Sequence, residues 1–228
     1  MKTTKVYIDL HIHSQDSNNT GSTISKHSDV EMLQKLINNR VRVACFADHD
    51  NLFVESYNRR VEIIKEKGYE LTLLPGCEIN LLNGEKSAQA ILVFRPDQDL
   101  NEIKKIVNKN KISYCNIFNK FADYDFMIFP HTGKAKDIIN PLELEGCYIS
   151  GFDSSNPKSS NLKKAMKLYP DVPDVYFSDV HNWKKYPFDN NNHRTAISWK
   201  NELNDSREIY SYIKNVLKDK TNVFKYSK

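Results

Sequence analysis

The stretch VYIDLHIHS, Val6 to Ser14, is an apolar, strand-like run that ends in two histidines one residue apart. In an extended strand successive side chains take opposite faces, so His11 and His13 point one way and Ile12 the other. Two adjacent imidazoles repel when charged and compete for partners when neutral. A shared divalent ion removes both problems, because neutral imidazole nitrogen is a common ligand for transition metals. Taken alone, the pair reads as readily as two satisfied histidines at a strand end.

The rest of the chain repeats the pattern. His49 lies in FADHD, directly after the strand-like VRVACF; Glu78 follows LTLLPG and His131 follows FMIFP. Asp179 and His181 follow VYF and again stand two residues apart. Between these runs the periodicity predicts helices: Ser28 to Asn39 with Val30, Leu33, Leu36 and Ile37 on one face, then ESYNRRVEIIKEK stopped by Gly68. Further helices are predicted from Asp99 to about Asn108, over Ser113 to Ala122, around Asn161 to Leu168, and from Asp205 or Ser206 through Lys218. LTLLPGCEINLL, AQAILVF, FMIF, CYISGF and DVYFSDV read as strands, and NPKSSN and PFDNNNHR as loops. Such alternation predicts an α/β fold with a largely parallel sheet, formed by one domain spanning residues 1–228. In a closed sheet of parallel strands the carboxyl ends share one rim, where residues distant in sequence converge. Convergence is what metal coordination requires.

Composition sets the bounds. Of 228 residues 39% are hydrophobic and 11% aromatic, enough for a packed core. Lysine and arginine number 33 against 29 acids, a net charge of +4, which suits an anionic partner without indicating nucleic-acid binding by itself. The four cysteines are far apart; Cys45 and Cys77 fall in apolar runs and read as reduced and buried. No secretory signal or membrane-length apolar run is present, so an intracellular, cytoplasmic protein without membrane contact is expected.

Other residues carry competing readings. Asp48 and Asp50 flank His49 and are turn formers, with Asp48 also placed to orient an imidazole. Asp9 is either an ordinary strand acid or a support beneath His11. His27 reads as a solvated surface residue, His193 is undecided, and IKKIVNKNK is a basic solvated helix face.

With DLHIHS, ADHD, PGCEIN, PHTG and SDVH in this order, the chain resembles the PHP (polymerase and histidinol phosphatase) domains from about residue 7 to 195. Within them it is most similar to the modules found with ABC-type ATPases, on LLPGCEIN and SDVHNW…HRTAI. The resemblance implies a distorted (β/α)7 barrel with two or three divalent ions, manganese, zinc or iron, that hydrolyses phosphoesters. It implies one ion on His11, His13, Glu78 and Asp179, a second on Glu78 and His131, and a third on His49 and His181. Two positions depart from the pattern. Gln89 stands eleven residues after Glu78, where a histidine is frequent, and Asp16 is the nearest acid to the place where a further ligand usually follows the first motif.

The chemistry expected is metal-assisted phosphoester hydrolysis, in which paired ions lower the pKa of a water and clamp phosphoryl oxygens. His181 or His49 would serve as general acid, and Lys134 and Arg194 would hold the phosphate, with solvent-facing bases as the plainer reading of both. The resemblance to the ATPase-associated modules implies a phosphodiester, nucleic acid included, as the first substrate. The alternatives are a small-molecule phosphomonoester, or a non-catalytic metal-binding subunit partnering an ABC-type ATPase.

Overall fold

Val6 to Ile12 of the opening stretch forms the carboxyl-terminal part of β1 (Thr4–Ile12), and His13 and Ser14 follow directly after it. The computed structural model describes residues 4–20, 22–83, 86–107, 112–134, 139–200 and 203–228. After β1 come α1 (Asp29–Asn38), β2 (Val41–Phe46), α2 (Val54–Lys67), β3 (Thr72–Leu73), β4 (Gly76–Asn83) and β5 (Lys86–Phe94). They are followed by α3 (Leu100–Val107), β6 (Ile112–Ser113), α4 (Tyr114–Lys120), β7 (Phe126–Gly133), β8 (Phe152–Ser154) and α5 (Ser160–Leu168). The chain finishes with β9 (Asp174–Val175), β10 (His193–Trp199), α6 (Ser206–Val216) and β11 (Val223–Ser227).

The helices start and stop where the sequence places their caps. Ser28 and Glu31 form a reciprocal capping box at the start of α1, satisfying two amide groups that the first turn leaves orphaned. Gly68, at φ +62°, ends α2 in the left-handed conformation that glycine adopts without a Cβ clash. Asp205 accepts from the amides of Arg207 and Glu208 and caps α6. On α1 the buried face is Met32, Leu33 and Leu36; Val30 is exposed, so the stripe is turned relative to the predicted one. The end predicted for the third helix, at Asn108, lies outside the described residues, as do the last four residues of IKKIVNKNK.

The fold is mixed α/β. Its ladders make two sheets, ordered β11-β10-β1-β2-β3 and β6-β4-β5-β7-β8-β9. Parallel pairing is rich in both sheets, as expected, and includes β4–β6; against it, β5 runs antiparallel to both β4 and β7, and β10 antiparallel to both β1 and β11. β1–β2, β2–β3, β7–β8 and β8–β9 are parallel. The ladders do not close into a single ring, but backbone bridges join the sheets at two seams. One pairs His49 with Glu78, and the other pairs Ile12 with Val180.

Three strands differ from their sequence reading for visible reasons. CYISGF is not a ladder, because the Ser150 hydroxyl accepts the Ile128 amide that a neighbouring strand's carbonyl would take; the strand begins only at Phe152. DVYFSDV is a ladder only at Asp174–Val175. Beyond it, the Thr195 hydroxyl accepts from the Tyr176 amide and Asp9 Oδ1 from the Ser178 amide. Asp179 then turns through φ +51°. In the last part of the chain β10 and β11 were not predicted; in β10 the alternation of HRTAISW is masked by the asparagine run before it.

Between the sheets lies one apolar core of Ile8, Leu10, Val43, Cys45, Ile91, Val93, Met127, Phe129 and Phe177, to which α6 adds Ile209, Tyr210 and Ile213. A second core packs α3, α4 and α5 on the outer face of β4, β5 and β7, and a third packs α1 against β1 and β2. Cys45 and Cys77 are buried free thiols, as expected. No helix among the described residues is long and apolar enough to cross a membrane.

Candidate metal centre

Ile8 and Leu10 face the core between the sheets, whereas Ile12 packs outward with α1. Strict alternation would turn His11 away from Leu10. A register shift between Asp9 and Ile12, where β1 pairs with β2, breaks the alternation and turns His11 and His13 to the inner side. They meet His131, at register with Asp153 across β7 and β8, and Glu78, two residues into β4. Gly133 makes that β7–β8 approach possible, since a Cβ there would lie 1.8 Å from Ser154 Oγ.

The result is a continuous cluster. His11 Nε2 and His13 Nε2 are 3.0 Å apart, and Asp179 Oδ1 lies 3.4 and 3.2 Å from them. Glu78 stands in the middle: Oε1 is 3.2 Å from His131 Nε2 and 3.6 Å from His11 Nε2, while Oε2 is 2.8 Å from His49 Nδ1 and 3.6 Å from His13 Nε2. His49 stacks on His13 with ring centres 4.5 Å apart, and His181 lies 4.6 Å from His13 and 6.2 Å from His49. Donor atoms fall into three groups, each within 4.8 Å: His13, His49 and His181; His11, His131 and Asp153; and His11, His13 and Asp179.

Hydrogen bonds behind the imidazoles set their tautomers. Asp153 Oδ2 accepts from His11 Nδ1 at 2.7 Å. His13 Nδ1 donates to Ser17 Oγ at 3.4 Å, and that hydroxyl donates in turn to Asp48 Oδ1. Both Nε2 atoms are thereby aimed into the cluster, where His11 would ligate a metal only after losing the proton that the neighbouring carboxylates hold on it. Asp48 fixes this arrangement further by accepting from the Ser14 amide and hydroxyl, each at 2.7 Å. Asp189 accepts from the amides of His181 and Asn182 and holds the outer loop.

The electrostatics are those of a site that gathers cations. Burial lowers His13 and His131 to about 4, so both are neutral ligands near pH 7. Burial and Lys134 also push His11 down, but Asp179 and Glu78 outweigh them and hold it up at about 10. Burial would raise Glu78 and Asp179, yet the imidazoles around Glu78, His11 foremost, and Lys134 with His11 beside Asp179 keep both well below the usual carboxylate range. Three buried atoms of the cluster, His49 Nε2, His131 Nε2 and Asp153 Oδ1, have no hydrogen-bond partner, and Glu78 Oε2 has His49 Nδ1 beside it at 2.8 Å. Leaving such an atom unsatisfied costs about 1–3 kcal/mol. Imidazole nitrogens and carboxylate oxygens converging in this way are the donor set of a divalent transition-metal ion, and these residues fit one.

The structure thus brings together His11, His13, His49, Glu78, His131, Asp179, His181 and Lys134. It does not bring in Asp16 or Arg194. Asp16 accepts from Arg60 at 3.0 Å and from the Ser14 hydroxyl. Arg194 lies flat on the Tyr7 ring at 3.7 Å and donates to the Asn39 carbonyl. Tyr7 is four residues below His11, roughly 13 Å along an extended strand, so Arg194 belongs to the other end of β1. Lys134 is buried rather than solvent-facing, donating to Asp179 Oδ2 at 3.0 Å and paired with Asp153 Oδ2 at 3.3 Å. Asp9 holds the Ser178 amide and the Tyr186 hydroxyl instead of supporting His11. His27 is half-buried beside Ser25, His193 packs at a 40° tilt against Tyr176 outside the cluster, and Gln89 pairs with Asn80 in the β4–β5 hairpin. Asp153 is the residue sequence reasoning missed. Its signal was present, since it directly follows the apolar run CYISGF as the other acids and imidazoles follow theirs.

No family model matches the sequence, and no curated protein matches it. Solved structures do share the fold. A candidate metal-dependent phosphoesterase from Bifidobacterium adolescentis superposes with a TM-score of 0.58 at 12% identity, covering 93% of this chain and 96% of the other. PsfC from Pseudomonas syringae gives a TM-score of 0.62 at 13% identity, covering 98% and 92%. An amidohydrolase from Chromobacterium violaceum, determined with bound sulfate and without metal, gives 0.51 at 12% identity, covering 96% and 98%.

Proposed function

We propose that the chain is a divalent-metal-dependent phosphoester hydrolase. The observation that carries this reading is Glu78, a fully enclosed carboxylate with four imidazoles within 3.6 Å, beside three further buried atoms that lack partners. The fold shared with a candidate metal-dependent phosphoesterase agrees with it. The two bridged seams between the sheets are also compatible with a distorted barrel whose rim holds the site.

His11, His13, Glu78 and Asp179 would hold one ion, and Glu78 would reach a second with His49 and His181 or with His131. Ions bound there would supply an activated water and neutralise phosphoryl oxygens. The chain's own groups do the rest. Three carboxylates against Lys134 and a protonated His11 leave the empty cluster with an excess of negative charge, so bound divalent ions are needed before it attracts phosphate. Asp179 and His181 are 19% and 31% exposed while His11, His131 and Asp153 are enclosed, so substrate enters on the His181 side. With the second ion on Glu78 and His131, His181, whose Nδ1 lies 3.0 Å from the Asp179 carbonyl, would stay off the metal on the more exposed side and would be placed to protonate a leaving oxygen.

The test is hydrolysis of bis-aryl and mono-aryl phosphates with Mn²⁺ or Zn²⁺, then of labelled DNA and RNA. Metal-dependent turnover that His13→Ala abolishes is the expected result; preference for the diester favours a phosphodiesterase, and activity confined to the monoester removes the nuclease reading. No turnover with any metal, together with unchanged metal content in His13→Ala, would overturn the proposal.

A further inference from the structure

Lys134 is a buried ammonium inside a group of metal-type donors, and the two acids it touches receive it differently. Asp179 divides its oxygens: Oδ1 faces His13 and His11 at 3.2 and 3.4 Å, and Oδ2 faces Lys134 at 3.0 Å. Its metal-facing oxygen is therefore free of the lysine. Asp153 has no such division. Its Oδ2 alone meets His11 Nδ1 at 2.7 Å, His131 Nε2 at 3.5 Å and Lys134 Nζ at 3.3 Å, while Oδ1 is buried without a partner.

The spacing in this corner is otherwise that of a metal site. Glu78 Oε1 lies 3.2 Å and Asp153 Oδ2 3.5 Å from His131 Nε2, whose lone pair has no partner. Two donors on a tetrahedral ion stand about 3.4 Å apart. What the corner lacks is room for a second cation, since an ammonium already neutralises the oxygen that a divalent ion would need. Like charges at that distance in a low-dielectric interior repel strongly.

We propose that the Lys134 ammonium, seated on Asp179 Oδ2, His11 Nδ1 and Asp153 Oδ2, supplies the positive charge of a divalent ion that His131, Glu78 and Asp153 would otherwise hold, so that the chain binds one ion fewer than its donor atoms could hold. The inference rests on the cluster being a metal centre. It assigns Lys134 a role as an internal cation that sets metal number, in place of the phosphate contact read from the sequence. The lysine cannot leave this corner without uncovering two carboxylates.

Elemental analysis of protein saturated with Mn²⁺ or Zn²⁺ and freed of excess by gel filtration tests this directly. Lys134→Met and the polar Lys134→Gln should each carry one more equivalent than wild type, and Lys134→Arg the wild-type number. In Lys134→Met/Asp153→Asn the additional equivalent should vanish. Equal metal content in wild type and a folded Met or Gln variant overturns the inference, as does failure of both variants to fold even with metal added. Wild type carrying no metal while Lys134→Met carries one would leave the inference standing and remove the hydrolase reading instead.

Discussion

At the scale of single residues, the site depends on a few atoms that have no substitute. Glu78→Gln keeps the volume but removes the negative charge that four imidazoles surround. Metal affinity should fall at least about tenfold and kcat about a hundredfold, read by metal titration and diester turnover; unchanged metal binding would refute the central role given to this carboxylate. Asp48 touches no candidate ligand atom of the cluster, yet it organises Ser14, Ser17 and through Ser17 the His13 ring. Asp48→Ala strands the Ser14 amide and two hydroxyls in a buried place and should cost about 2–4 kcal/mol in urea denaturation. The residue scale is also where the sequence was most legible. Histidines and acids placed after apolar runs pointed to one another because strand ends meet in space, and the same rule extends to Asp153. It failed for Asp16 and Arg194, whose partners, Arg60 and Tyr7, are set by tertiary packing that spacing does not encode.

Elements position these atoms by their irregularities. The register shift in β1 is invisible in VYIDLHIHS, yet without it Leu10 and His11 would not face the same interior. Close approach of β7 and β8 is a second such device. Gly133→Ala should destabilise the protein by about 1–3 kcal/mol and weaken metal binding through His131 and Asp153. Ser154→Ala in the same chain, by removing the oxygen in the way, should recover part of the loss in thermal unfolding. The α1–α2 contact carries a pH signature. Arg60 and Arg59 hold Asp29 below its ordinary value of 3.8 despite the opposing effect of burial. A depressed carboxyl contributes stability in full above its unfolded pKa and loses it as pH falls through the folded value. The stability difference between wild type and Asp29→Asn should therefore be constant from pH 5 to 7 and shrink below about pH 4. A difference that grows in acid would contradict the pairing. Helices were read well here because caps and apolar periodicity are local. The short strands were not, because side chains of Ser150, Thr195 and Asp9 replace ladder partners that no local pattern reveals.

On the scale of the whole molecule, the two ends of the inter-sheet core do different work. α6 closes one end, with Tyr210 and Lys214 bonded to Asp125 just before β7, and the metal-type donors occupy the other. Ile213→Ala, in the α6 contribution to this core, should cost about 2–4 kcal/mol in unfolding free energy while leaving metal content at the wild-type number. Loss of metal in the folded variant would show that the ends are coupled. The alternation of helices and strands announced α/β from the sequence, but the antiparallel courses of β5 and β10 did not appear there. Strand direction depends on how the chain crosses between sheets, and the break at Leu74–Pro75 moves it from β3 in one sheet to β4 in the other.

Among the described residues the cluster grades from enclosed His11 and His131 to the partly open His181, a recess whose mouth lies on the His181 side. Traffic through such a passage is sequential. An ion lodged at the His11 end must arrive before the outer places fill and must wait for them to clear before departing. Chelation should accordingly strip the protein in two kinetic stages, a fast one at the mouth and a slow one at depth, and a phosphate seated in the mouth should retard both.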